Sequence, residues 1–198
     1  TMASVAACHR SILRIERAAP WLFGAAPDWR LQRGVVACHL IADIPGLYGA
    51  FAAHVMDSLY RGLGEIGEGC GLVLMIDESH LLFDGAAPGV IRRIDQVTRL
   101  IRSRGVGLVY VSQSPSDLPD SILGQLNSRI QHRLTAATAK QAQAVKAASW
   151  GMGDVESLAI GQAIVRIGAA APVVRRMERA KPVSPGNVTL PQVARAVV

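Results

Sequence analysis

The amino-acid sequence predicts an α/β fold: a mainly parallel sheet with flanking helices, finished by a C-terminal β-hairpin. Two observations carry this. The runs "GVVACHLIAD" (34–43), "LVLMID" (72–77) and "VGLVYVSQ" (106–113) are β-branched and almost continuously apolar, as strands buried on both faces are. Between them lie stretches whose apolar residues recur at helical spacing. Strands alternating with helices build a parallel sheet with helices over its faces.

Each element follows in order. Residues 1–33 combine a short helical pattern (Val5, Ile12, Ile15) with a Pro/Trp/Gly-rich linker. The first strand ends at Asp43 and Pro45. A helix starts near Gly46, with Leu47, Phe51, Val55 and Leu59 recurring every fourth residue on one face. "GEIGEGCG" (64–71) is a loop into the second strand. Pro88 suits a helix start, and Val90, Ile94, Val97 and Ile101 form that helix's apolar stripe until Gly105 stops it. Beyond the third strand come a short helix in "PDSILGQL", a short strand in "RIQHRL" and an Ala-rich helix in "AKQAQAVKAAS". "GQAIVRIGAAAPVVRRM" has two alternating runs around a small-residue turn, which reads as a hairpin. The α/β domain therefore covers 34–180, between an N-terminal helix and linker (1–33) and a proline-bearing tail (181–198).

Composition narrows the class. Half of the 198 residues are hydrophobic, enough for one sizeable core, or one domain plus a tail. Cys8, Cys38 and Cys70 are scattered, and no CxxC or Cys/His cluster exists, so neither a disulfide framework nor a zinc site is indicated. A reducing cytoplasm fits that cysteine usage. No apolar run is long enough to span a bilayer, and no signal peptide is visible, so no membrane partner is expected. The net charge of +6 comes overwhelmingly from arginine, since lysine occurs only at 140, 146 and 181. Such a surplus permits a polyanionic partner, and genome composition explains it equally well.

The chemistry gathers at strand ends. In parallel sheets ligands sit beyond the carboxyl ends of the strands, and Asp43, Asp77–Glu78 and Ser112–Gln113 all fall there. An apolar strand ending in Asp-Glu is the Walker B pattern of nucleotide hydrolases. The Asp would hold a magnesium water shell and the Glu would polarise the attacking water as general base. The plainer reading is a buried strand meeting a polar loop. Gln113 could contact a γ-phosphate or that water, or could simply begin a loop. Arg92, Asp95, Arg99 and Arg102 share one helical face, opposite the apolar stripe. That face is either solvated, or Arg99 or Arg102 reaches a nucleotide held by a neighbouring subunit, for which the planar guanidinium is well matched. His80 follows the carboxylates closely but lacks a second histidine at ligand spacing, so it reads as a packed histidine, or one a step back from the metal, rather than a metal ligand.

Three segments together, "LVLMIDESHLLFD", "QVTRLIRSRGVGLVYVSQSPSDLPDSILGQLNSRIQHRL" and "QAVKAAS", resemble the carboxyl-terminal half of HerA/FtsK-type ATPases, and among these the bacterial HerA-helicase-like proteins. The likeness runs from about Ser4 to Arg179 and is densest between 72 and 149. It implies a RecA-like domain, ATP and Mg2+ as cofactors, a ring of identical subunits (a hexamer) and ATP-driven movement on DNA. By this resemblance Asp77 and Glu78 match Walker B, with Asp77 on the metal, and Gln113 matches the sensor glutamine. Arg102 best matches the arginine finger, ahead of Arg99 and Arg129.

One part of that machinery is missing from these 198 residues. The family's phosphate loop, GxxxxGK[ST], precedes Walker B, whereas Lys140, Lys146 and Lys181 all follow it. "GLGEIGEG" is glycine-rich but has no lysine and joins a helix to a strand, so it reads as a plain loop. Two expectations remain: a piece of a longer ATPase, or a short protein that serves as a non-catalytic, ATPase-derived interaction module. The retained Asp77, Glu78, Gln113 and Arg102 favour the former.

Overall fold

A computed structural model describes residues 2–18, 46–66, 69–113, 117–135 and 153–178. The strand expected at 34–43 with its Asp43, the Ala-rich helix at 139–149 and the tail from 181 lie outside the described residues. Helix α1, Met2–Ala18, occupies the expected N-terminal stretch, with Val5 and Ile12 exposed on it.

The core is built where α2 (Leu47–Gly62) and α3 (Pro88–Leu100) pack on strands β1 (Leu72–Ile76) and β2 (Val106–Tyr110). Pro88 opens α3, as its fixed φ and missing N–H favour at a helix start. The α3 stripe buries Ile94, Val97 and Ile101 completely, and Val90 lies partly buried beside them. The helix tightens into a 3₁₀ turn at Ile101–Arg104 and is stopped by Gly105, whose φ of 67° is left-handed. Helix α2 turns a different face inward from the one its large residues suggest. Gly49, Ala53 and Met56 are buried with Leu47 and Leu59, whereas Phe51 and Val55 are only partly covered. Small residues let α2 approach closely: a Cβ at Gly49 would stand 2.2 Å from the Leu82 carbonyl oxygen.

Strands β1 and β2 are parallel neighbours, paired from Leu72 opposite Val106 to Ile76 opposite Tyr110. Leu72, Leu74, Ile76, Leu108 and Tyr110 face the helices. The Tyr110 hydroxyl lies 2.8 Å from Thr98 Oγ1 on α3. Burial raises the Tyr110 pKa; the bond to Thr98 opposes this and the charge of Asp95 adds to it. The opposite face, carrying Val73, Met75 and Val109, is exposed among the described residues. Helices were expected over both faces; those described here cover one.

The short helix α4 (Asp120–Leu123) leads to a second sheet of three antiparallel strands: β3 (Arg129–His132), β4 (Gln162–Arg166) and β5 (Val173–Arg176). β4 and β5 are the expected hairpin, and β3 joins it with Ile130 opposite Val165. A small cluster of Val155, Leu158 and Ile164 forms a core of its own beside this sheet.

Candidate functional site

Because β1 and β2 are parallel and in register, both release their polar ends at the same edge. The Val111 N–H donates to the Ile76 carbonyl at 2.9 Å, the last rung before the strands part. Asp77–Glu78 leave one strand there and Ser112–Gln113 the other.

The turn after β1 is tight. Glu78 has φ 46° and ψ 47°, and among the described residues it is the one non-glycine with positive φ. Such backbone costs on the order of 1–3 kcal/mol and persists where the surroundings over-determine it. Ser79 supplies that restraint. It is completely buried, and both its N–H and its Oγ donate to the Val111 carbonyl at 2.8 Å. This clamps the turn to the exit of β2. Ser79 carried no signal in the sequence beyond following two carboxylates.

The clamp aims the Glu78 side chain at the neighbouring strand exit. Gln113 Nε2 donates to Glu78 Oε1 at 2.6 Å. On the other side His80 Nδ1 lies 3.3 Å from Glu78 Oε2. Asp77 is exposed, and its Oδ1 accepts the Glu78 N–H at 2.9 Å. Ser112 Oγ donates to Asp117 Oδ2 at 3.2 Å. Asp77, Glu78 and Gln113 are thus brought together.

The arginines are not. Arg102 is exposed in the turn before β2, at the amino edge of the sheet, whereas Glu78 stands at the carboxyl edge. A five-residue strand separates those edges by roughly 15 Å. Arg99 Nη2 bonds Asp95 at 2.8 Å on its own helix. Arg129 starts β3, where its Nη2 donates to the Leu123 carbonyl at 2.7 Å. Burial presses the Arg129 pKa below the usual arginine value, and the facing charge of Arg166 adds to that.

No group of three or more His, Cys, Asp or Glu among the described residues could hold a metal by itself. Magnesium does not require one. It keeps several waters and takes one or two carboxylates together with substrate phosphates. The single exposed carboxylate of Asp77 fits that donor set.

The family described as "Helicase HerA-like C-terminal" matches residues 2–194, nearly the whole chain. The chain belongs to this family. It is thus a HerA-like C-terminal domain. Among solved structures it is similar to VirB4 of Thermoanaerobacter pseudethanolicus, with a TM-score of 0.50 and 16% identity. That match covers 68% of this chain and 38% of the VirB4 chain, and at this identity it shows the fold. The HerA-like chain therefore corresponds to well under half of that relative's length. No curated protein matches it.

Proposed function

We propose that this chain carries the water-activating half of an ATP-hydrolysing site in a HerA-like DNA translocase or helicase. The observation that carries the reading is the 2.6 Å bond joining Glu78 to Gln113 across the carboxyl ends of two parallel strands. That edge is where ligands bind in such sheets.

The roles follow from the chemistry of each group. Glu78 is a carboxylate held on a rigid turn, suited to orient a water and take its proton. The Gln113 amide has a donor and an acceptor and can orient the same water or an oxygen of the terminal phosphate. Asp77 would hold Mg2+ through its water shell; the bound ion would neutralise phosphate charge. Arg102 cannot reach the Glu78 of its own subunit, so as a finger it acts on a neighbour's nucleotide in a ring oligomer. Arg99 and Arg129 are each engaged locally. DNA as the track and the cytoplasm as the compartment complete the reading, consistent with the basic charge and the described helices, none of which is long and apolar enough to cross a membrane.

Positioning and charge neutralisation supply most of the catalysis in phosphoryl transfer. These residues contain no GxxxxGK[ST] loop to provide them. The purified 198-residue chain should therefore show no ATP turnover above background. A longer protein joining this domain to a phosphate loop should hydrolyse ATP. Glu78→Gln there should abolish turnover while leaving nucleotide binding nearly unchanged. Retained turnover in that variant, or Glu78-dependent turnover by the short chain, would overturn the assignment. The missing loop favours a second reading, a non-catalytic interaction module, for which Glu78→Gln changes no activity of the assembly containing it.

A further inference from the structure

Gln113 is asked to hold Glu78 and to contact the nucleotide or its water. In this structure one of its two amide N–H groups donates to Glu78 Oε1 at 2.6 Å. Its second N–H and its own Oε1 remain for a phosphate or the attacking water, so the bond to Glu78 Oε1 can persist while Glu78 Oε2 stays unheld by Gln113. A carboxylate held at one oxygen alone can still turn about its last torsion.

His80 stands where a second restraint is needed. Its Nδ1 is 3.3 Å from Glu78 Oε2, on the carboxylate oxygen that Gln113 does not use. Both atoms are shielded from solvent although their side chains are 36% and 41% exposed, and neither has a formed hydrogen bond. Two shielded polar atoms facing each other are stable only with a proton between them; two opposed lone pairs would repel at a desolvated site. The backbone of His80 is fixed in this place. It sits in the 3₁₀ turn Ser79–Leu82, between the clamped Ser79 and the buried Leu82, and its carbonyl accepts the Phe83 N–H at 3.0 Å.

We infer that His80 is a positioning residue: its Nδ1–H donates to Glu78 Oε2 and, with Gln113 on Oε1, fixes the plane of the carboxylate. This rests on the proposed role of Glu78 as base. His80 touches neither water nor phosphate. It removes freedom from Glu78, so its loss should lower kcat and leave the KM for ATP nearly unchanged.

Two measurements test this, and they fail separately from the assignment of Glu78. Nitrogen-15 NMR of the 198-residue chain, at a pH where the imidazole is neutral, should find the His80 proton on Nδ1. Glu78→Ala should release that preference. A proton on Nε2 in the unaltered chain overturns the inference whatever Glu78 does. In the longer, ATP-hydrolysing protein, His80→Ala should lower kcat on the order of tenfold or more, as removal of such supporting partners does. His80→Asn places an amide N–H close to where Nδ1–H stood and should restore most of the rate. His80→Gln, whose amide reaches the Nε2 position instead, should not. Equal losses in the Asn and Gln variants, or none in the Ala variant, overturn the inference while Glu78→Gln still abolishes turnover. If Glu78→Gln is harmless, the assignment of the base has failed, and the role of His80 falls with it even where the proton sits on Nδ1.

Discussion

Asp57, on α2, is held by two arginines: Arg93 reaches across from α3 to its Oδ1, and Arg61 lies 2.7 Å from its Oδ2 one turn along α2. The bond from Arg93, above all, holds the Asp57 carboxyl below the ordinary aspartate range; burial opposes it and the charge of Arg61 helps. A carboxylate whose pKa is depressed by folding stabilises the fold above its unfolded pKa of about 3.9, and that contribution disappears as the pH falls through the folded value. Asp57→Asn should therefore melt at a lower temperature than the parent chain at neutral pH. The gap should stay constant down to about pH 4 and shrink below it, which melting curves across that range would read. A gap that widens in acid would mean that Asp57 is not the depressed group. The same scale separates what the sequence can disclose from what it cannot. Asp77, Glu78 and Gln113 were legible because strand ends share an edge in a parallel sheet. The left-handed backbone of Glu78 was not, because nothing in "DESH" demands it. It arises from Ser79 bonding to a carbonyl 32 positions away. Arg92 and Arg93 are adjacent and chemically identical, yet only the latter meets α2, which helix phase alone decides.

At the level of elements, α2 shows how a pattern of large residues can mislead. Leu47, Phe51, Val55 and Leu59 make a persuasive stripe, but the helix rotates so that Gly49 and Ala53 face the Ser79–Leu82 turn and the core. Hydrophobic patterning weighs side-chain size and is blind to where a backbone must come close. Gly49→Ala makes the point measurable. Alanine in a helix normally gains about 1 kcal/mol over glycine. Here the new methyl would meet the Leu82 backbone carbonyl oxygen at 2.2 Å, so the backbone on one side must shift. Overpacking of that kind costs typically about 1–3 kcal/mol, more than propensity returns. Gly62, at the end of the same helix, has nothing within 4 Å of the equivalent position. Gly62→Ala should raise the urea midpoint slightly and Gly49→Ala should lower it. Equal shifts in one direction would show that the close approach of α2 is not maintained. Helix α3, by contrast, was legible almost residue by residue, because its stripe is made of large side chains that do enter the core and its ends are written as Pro88 and Gly105. The hairpin was legible for the same reason. What escaped is that β3 pairs with that hairpin instead of the parallel strands, since four alternating residues specify a strand but not its neighbour.

On the scale of the whole molecule, the two edges of the parallel sheet carry the groups that the proposed function would join. The carboxyl edge presents Asp77, Glu78 and Gln113; the amino edge presents Arg102. The turn bearing Arg102 is firmly seated. The next arginine, Arg104, lies over the Tyr60 ring at 4.9 Å and donates to the Leu63 carbonyl at 3.3 Å, tying the turn to the end of α2. A guanidinium at that edge is about a strand's length from its own Glu78, so the proposed finger role requires a neighbouring subunit to bring the two edges together. A finger supplied in this way is worth roughly a thousandfold or more in rate. Arg102→Ala in the longer ATPase should therefore leave the fold and the nucleotide affinity of a separated subunit nearly unchanged, while the assembled protein loses turnover. Mixing decides whether the residue acts across the interface. Rings of Arg102→Ala subunits and rings of Glu78→Gln subunits should each be inactive. Rings mixed from both should regain part of the activity, because some interfaces then join an intact Glu78 to an intact Arg102. If Arg102 served only within its own subunit, every site in the mixture would still lack one of the two groups. Mixtures that stay inactive while exchange with wild-type subunits restores turnover, or an Arg102→Ala protein with full activity, would return Arg102 to the solvated face of its helix and leave the finger to be sought elsewhere, with Arg129 on β3 the first to substitute.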